Sequence, residues 1–78
     1  MHLTIATVTE NLFDGEAVSV TVPGTAGEMT VLTHHEPIIT TLKKGTIIVR
    51  ELNDIEPREF PIESGVLEVR SDGATILL

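Results

Sequence analysis

Hydrophobic positions in this chain recur at every second residue. Val18, Val20 and Val22 alternate with Ala17, Ser19 and Thr21, which puts the three valines on one face of an extended strand. Phe60 and Ile62 alternate in the same way with Glu59, Pro61 and Glu63, Leu67 and Val69 with Glu68 and Arg70, and Ile76 with Thr75 and Leu77. Ile47-Ile48-Val49 is an unbroken β-branched run, the pattern of a strand covered on both faces. Turn residues punctuate these runs at Asp14-Gly15, Pro23-Gly24, Lys44-Gly45, Asn53-Asp54 and Asp72-Gly73. The two Asp-Gly pairs, flanked by alternating apolar residues, are the strongest hairpin signals. No window holds helical spacing, and Leu12-Phe13 is read as a short turn at most. The pattern predicts an all-β fold, a small antiparallel β-sandwich or flattened barrel of about eight to ten short strands.

No linker, internal repeat or low-complexity segment interrupts the 78 residues, so residues 1–78 are expected to form one domain. A domain of this size buries only about 60% of the surface its unfolded chain exposes. The chain has no cysteine, which excludes disulfides as reinforcement, and a partner that binds only the folded form would stabilise it by mass action. The net charge of −7 argues against nucleic acid as that partner, because the five basic residues, Lys43, Lys44, Arg50, Arg58 and Arg70, form no stripe. No apolar run approaches the roughly 20 residues that span a bilayer. Met1-His2-Leu3-Thr4 offers neither a basic region nor a hydrophobic core of a signal peptide, so none is expected.

Candidate chemistry is sparse. In His34-His35-Glu36, adjacent side chains of an extended segment point to opposite sides, and the third histidine, His2, is remote in sequence. A catalytic zinc wants three protein ligands, so no metal site is read here. Pro23-Gly24-Thr25-Ala26-Gly27 lacks the Gly-Lys-Ser/Thr of a phosphate loop, and Glu28 follows it, where a carboxylate repels phosphate. Ser64-Gly65 is no nucleophile elbow, because Ile62 stands where that motif has glycine. No catalytic, cofactor or metal-binding residue is assigned. The segment from Pro23 to Leu42 instead reads as built for contact, with glycines, an exposed-looking Met29, two histidines and Pro37 ahead of Ile38-Ile39.

The order of these residues carries a resemblance. Val18-Ser19-Val20-Thr21-Val22-Pro23-Gly24-Thr25-Ala26-Gly27-Glu28-Met29-Thr30-Val31-Leu32 resembles a motif of Val-x-x-Val-x-Val-Pro-Gly-x-x-Gly followed by an acidic residue, an apolar one and Gly-Val-Leu-Pro. His35-Glu36-Pro37 matches its His-Ala-Pro, Leu42-Lys43-Lys44-Gly45 its Leu-Lys-Pro-Gly, and Ser64-Gly65-Val66-Leu67-Glu68-Val69 its Ser-Gly-Gly-Phe/Ile-Leu-Glu-Val with one glycine fewer. Leu3-Thr4-Ile5 and Leu12-Phe13-Asp14-Gly15 agree as well. This is the motif series of the epsilon subunit of F-type ATP synthases, in its N-terminal β-sandwich. Thr30, Thr33 and His34 depart from the family's usual Gly, Pro and Gly. The family's C-terminal helical hairpin, which carries regulatory inhibition and in some members ATP binding, has no counterpart among these residues, and neither property is assigned.

The resemblance implies a non-catalytic subunit of the rotor's central stalk, coupling the gamma subunit to the membrane ring of c subunits during ATP synthesis driven by ion translocation. It implies no cofactor, and attachment to the cytoplasmic face of a bacterial-type plasma membrane through the complex and not by insertion. By resemblance, a loop comprising Gly27, Glu28, Met29, Thr30, Thr33, His34, His35 and Pro37 faces the c-ring, where Glu28 is expected to pair with a basic side chain. Ser64, Gly65, Val66, Leu67, Glu68 and Val69 are expected to pack on gamma. The alternative is a free-standing β-module that binds a peptide or small ligand at an open edge strand.

Overall fold

Alternation of this kind becomes nine strands in the computed structural model, which describes residues 1–33, 36–53 and 55–78. They are β1 (His2–Ala6), β2 (Asn11–Glu16), β3 (Ser19–Gly24), β4 (Gly27–Leu32), β5 (Ile38–Leu42), β6 (Gly45–Arg50), β7 (Arg58–Ile62), β8 (Gly65–Arg70) and β9 (Gly73–Leu77). No helix occurs among the described residues. The strands hydrogen-bond in the order β2-β1-β9-β8-β5-β3-β6-β7, and β4 pairs with the other side of β3. A single bridge, Gly24 to Leu42, carries the sheet from β5 to β3. Around that bridge the sheet curls, so that β2-β1-β9-β8-β5 faces β4-β3-β6-β7.

The fold is all-β as expected, with one correction: it is not wholly antiparallel. β1 and β9 run parallel, with Leu3 opposite Ala74 and Ile5 opposite Ile76. A parallel pair needs a long connection between its strands, and here almost the whole chain supplies it.

The core lies between the two halves. Leu3, Ile5, Val20, Val22, Val31, Ile47, Val49, Leu67 and Ile76 are fully buried. Burial of each such side chain contributes about 1.5–3 kcal/mol, an upper value because unfolded chains are already partly collapsed. Two valine and isoleucine expectations need adjustment. Val18 does not share the face of Val20 and Val22 but is 46% exposed, because β3 begins only at Ser19. Its N–H is held by the Arg50 carbonyl at 2.7 Å, in the chain reversal before the strand. Ile48 is half-buried between fully buried Ile47 and Val49, so β6 is covered on one face and only shielded on the other, where Thr21 and Glu59 lie beside Ile48.

Turn chemistry explains some connections and misses others. The β8–β9 hairpin turns one residue earlier than the Asp-Gly pair predicts, through Ser71-Asp72, and Gly73 opens β9 opposite Arg70. Gly73 has φ +157°, and a Cβ there would stand 2.6 Å from the His2 carbonyl oxygen, so the position admits no side chain. Asp14-Gly15 is not a turn: both residues lie inside β2, opposite Thr4 and Leu3, and Leu12-Phe13 is strand as well. The pairing with β1 overrides the local turn propensity, since Phe13 must sit opposite Ile5 to reach the core. The reversal falls at residues 7–10 instead, where the Thr7 hydroxyl accepts the N–H groups of Thr9 and Glu10 at 3.3 and 3.2 Å. Pro23 and Gly24 end β3, and the two-residue loop Thr25-Ala26 makes the turn into Gly27 at φ +135°. Lys43 and Lys44 form the corner from β5 to β6, with the Lys43 N–H on the Pro23 carbonyl at 2.9 Å. Asn53 adopts φ +70° in the β6–β7 connection, and Asp54 lies outside the described residues.

The free ends of the curled sheet, β2 and β7, meet through side chains. The Phe13 and Phe60 rings pack edge to face, centroids 6.3 Å apart. The Arg58 guanidinium covers both rings at 5.0 and 5.5 Å, and Glu51 approaches it at 3.9 Å.

Candidate functional site

The segment expected to be a contact loop, Gly27 to Pro37, is for its first half a strand. Gly27, Glu28, Met29 and Thr30 belong to β4, paired residue by residue with β3: Gly27 with Gly24, Glu28 with Pro23, Met29 with Val22, Thr30 with Thr21. Period-two alternation then divides the segment. Val31 is buried, and Met29 is half-buried against the core, not the exposed contact residue its sequence suggests. Glu28, Thr30 and Leu32 point outward. The Thr30 hydroxyl meets that of Thr21 at 2.9 Å across the strand pair.

At about 3.4 Å per residue, β4 separates its ends by roughly 17 Å. Gly27 and Glu28 therefore stand at the hairpin tip beside Thr25, whose hydroxyl meets that of Thr41 at 2.9 Å. Thr33 stands at the opposite end, its hydroxyl 3.3 Å from the Met1 amine. His34 and His35 lie outside the described residues. Pro37 is exposed and lines a shallow groove with Ile38, Ile39, Glu68 and Arg70. The expected surface is thus two surfaces at opposite ends of one strand.

The second expected surface, Ser64 to Val69, is divided by the same alternation. Ser64 precedes β8 and is exposed. Leu67 and Val69 face the protein's own core and are closed to a partner, while Val66, 40% exposed, and Glu68 face outward. Gly65 is half-buried at the start of the strand. Register brings Val66 level with Thr41 on β5 and Leu77 on β9, and Glu68 level with Ile39 and Thr75. Ile39 and Leu77 are 72% and 57% exposed, so this outer face carries an apolar stripe of Ile39, Val66 and Leu77. Its one cation is shared between two carboxylates. Arg70 donates to Glu68 at 3.1 Å, to the Thr75 hydroxyl at 3.0 Å and to Asp72 at 3.3 Å. Ile39 and Leu77 were not assigned to this surface from sequence, although the outward phase of Leu77 against buried Ile76 was visible in the alternation.

A further set of exposed apolar residues was not anticipated. Val18 and Leu52 line a groove with Met1, Ala17 and Thr33, and the side chain of Ile55 in the β6–β7 connection is fully exposed. Ionic groups lie on the outside: His2 Nε2 is 2.6 Å from Asp14 and its Nδ1 is 3.7 Å from Glu16, all three exposed. Among the described residues, no group of three or more His, Cys, Asp or Glu side chains is placed to hold a metal ion. Every buried side-chain nitrogen or oxygen among them has a hydrogen-bond partner. What this geometry presents is surfaces: a polar strand edge and an apolar sheet face.

Comparison with known proteins bears on those surfaces. Residues 1–78 match the family model described as ATP synthase, Delta/Epsilon chain, beta-sandwich domain. The chain is 38% identical over 77 residues to the ATP synthase epsilon chain of Hyphomonas neptunium, covering 99% of this chain and 56% of that one. It is 36% identical over 77 residues to the ATP synthase epsilon chain 2 of Burkholderia orbicola, covering 99% and 51%. The chain spans about half the length of the curated relatives it matches. Among solved structures it is similar to a chain of the Euglena gracilis mitochondrial ATP synthase OSCP/F1/c-ring assembly, with a TM-score of 0.87, 25% identity and coverage of 96% and 48%. A chain of the Tetrahymena thermophila mitochondrial ATP synthase central stalk and c-ring shares the fold, with a TM-score of 0.82 at 12% identity over 97% and 60%.

Proposed function

Because this chain belongs to the ATP synthase delta/epsilon chain β-sandwich family, we propose that it is a non-catalytic central-stalk element that couples the gamma subunit to the c-ring. The observation that carries this reading is the family match over residues 1–78, together with a backbone that superposes at a TM-score of 0.87 on a chain of an F1/c-ring assembly. The physical design is consistent with such work. A coupling element transmits force, so it needs stiffness, and a core of interdigitated Val, Ile and Leu packed between two sheet halves resists deformation.

Two partners of different chemistry suit the two surfaces. The apolar stripe of Ile39, Val66 and Leu77, with Glu68 beside it, is the gamma-facing side, with Ser64 and Gly65 at its margin; Leu67 and Val69 support it from within. The hairpin tip and outward positions of β4, Gly27, Glu28 and Thr30, face the polar surface of the c-ring, with Thr33, His34, His35 and Pro37 extending the contact and Met29 holding the strand to the core. In this reading residues 1–78 act as one domain, attached through the complex to the cytoplasmic face of a bacterial-type plasma membrane.

The test is co-purification with gamma. Replacing Ile39 and Leu77 together by aspartate is expected to weaken gamma binding by at least tenfold while leaving the melting temperature within a few degrees, since both side chains are largely solvated in the free protein. Retention of wild-type gamma affinity by this folded variant would remove the apolar stripe from the interface. Absence of gamma affinity in the unmodified protein would sink the coupling role itself.

A further inference from the structure

Among the described residues three strands, β2, β7 and β4, have a neighbour on one side only, while β5 meets β3 on its second side at the single pair Gly24–Leu42; the three one-sided edges are not alike. β2 carries an irregularity opposite Ile5 and Ala6 and the exposed carboxylates Asp14 and Glu16. β7 carries Pro61, which lacks an N–H, and the charged pair Arg58-Glu59. The two edges are further tied together by Phe13, Phe60 and Arg58. These are the devices by which sheets refuse additional strands. β4 shares only one of them, a single exposed carboxylate, Glu28. Its six residues, Gly27 to Leu32, include no proline, no lysine or arginine and no bulge, and its pairing with β3 is unbroken over six registered pairs.

Hairpin geometry fixes which backbone groups β4 presents. The two-residue loop Thr25-Ala26 makes Gly24 and Gly27 a mutually hydrogen-bonded pair, and such pairs then alternate along an antiparallel ladder. Met29 and Val31 therefore bond to Val22 and Val20. The N–H and C=O of Glu28, Thr30 and Leu32 point away from β3. The opposite edge of β3 confirms this phase, because the Pro23 carbonyl, opposite Glu28, faces the other way and accepts from Lys43 at 2.9 Å. The same three residues point their side chains outward, so one strip offers an acid, a threonine and a leucine beside a row of unpaired peptide groups.

We propose that β4 is a site of strand addition: an extended, basic segment of a partner chain pairs with the outer edge of β4 through the peptide groups of Glu28, Thr30 and Leu32. Charge selects the occupant. Glu28 is the sole charged residue of β4, and the chain as a whole carries −7. Two of its five cations are already engaged, Arg58 over the aromatic rings and Arg70 by Glu68 and Asp72. A lysine or arginine across from Glu28 is thus attracted both locally and by the whole body, whereas a second copy of this chain brings another −7 and no cation on its own β4. The inference rests on the reading of this segment as a contact surface and adds to it the mode of contact, backbone before side chain.

Proline separates the two. Thr30→Pro removes the outward N–H and no bond to β3, so the hairpin is retained, while Thr30→Val keeps the N–H and removes only the hydroxyl. In the complex assembled with gamma and the c-ring, Thr30→Pro is expected to reduce co-purification of the ring at least tenfold, Glu28→Lys to do the same, and Thr30→Val to do nothing. Amide hydrogen exchange on the unmodified complex is an independent reading: the Glu28, Thr30 and Leu32 amides are expected to slow on assembly by at least a hundredfold. If Thr30→Pro assembles as well as Thr30→Val while Glu28→Lys does not, or if the three amides exchange as in the free protein, strand addition is overturned and the contact surface stands. If none of the three variants alters assembly, both are overturned. Slowing that appears in the isolated protein with rising concentration would identify a second copy as the occupant and overturn the basic partner.

Discussion

β8 and β4 are both six-residue strands that open on glycine, yet they offer a partner opposite things. β8 is central, bonded to β5 on one side and β9 on the other, so its backbone is fully used and its outward side chains, Val66 and Glu68, are all it can present. β4 is bonded to β3 alone and retains an open row of peptide groups. The inward residues differ in the same sense: Leu67 and Val69 are buried, whereas on β4 Val31 is buried and Met29 is half-exposed. The number of neighbours a strand has decides whether recognition falls to side chains or to backbone. In this molecule an apolar stripe is centred on the fully paired β8, and a strip of Glu28, Thr30 and Leu32 lies on the one-sided β4.

The comparison is tested most severely within β8. Leu67→Ala is expected to destabilise the protein by about 2–5 kcal/mol, because it opens a cavity in a site with no solvent access. Val66→Ala, one residue away on the outer face, is expected to cost no more than roughly 0.5 kcal/mol. Urea unfolding of the two variants measures the difference, and equal losses would mean that the two faces are not distinct. Next is the seam that closes β2 against β7, the counterpart of the open β4 edge. Arg58→Ala is expected to cost about 0.5–2 kcal/mol through loss of its contact with two rings. It should also speed amide exchange along β2 and β7, but not along β8, and an unchanged exchange pattern would separate that seam from edge protection. Smallest is Thr30→Val, which replaces one exposed hydroxyl pair on β4 and is expected to shift stability by less than roughly 0.5 kcal/mol. A larger loss by thermal melting would show that the Thr21–Thr30 contact, and not the ladder, holds β4 in place.

Much of the fold was legible because period two is a local signal. Leu67 and Val69 against Glu68 and Arg70, and Ile76 against Thr75 and Leu77, read inward and outward as the structure has them. Where the reading failed, pairing with another strand outvoted a local preference. Asp14-Gly15 has the composition of a hairpin turn, but the register with β1 draws both residues into β2. Met29 to Leu32 looks like strand from its sequence, and β3, by supplying a partner at each position, draws Gly27 and Glu28 of the expected contact loop into the same strand. The parallel pairing of β1 with β9 joins opposite ends of the chain, and no window of sequence contains it.

Of the candidate surfaces, the order of motifs indicated the segments, and the fold divided them. Sequence by itself determined the alternation, the chain reversals near Pro23-Gly24 and Asp72-Gly73, the absence of cysteine and the negative charge, since each is a property of neighbouring residues or of their sum. Only the tertiary structure decided that Ile39, Val66 and Leu77 share one face, that Thr33 stands a strand's length from Glu28, and that β4 keeps an open edge while β2 and β7 close on each other. Those are facts about which strands become neighbours, and that choice is made by burial of the whole core at once.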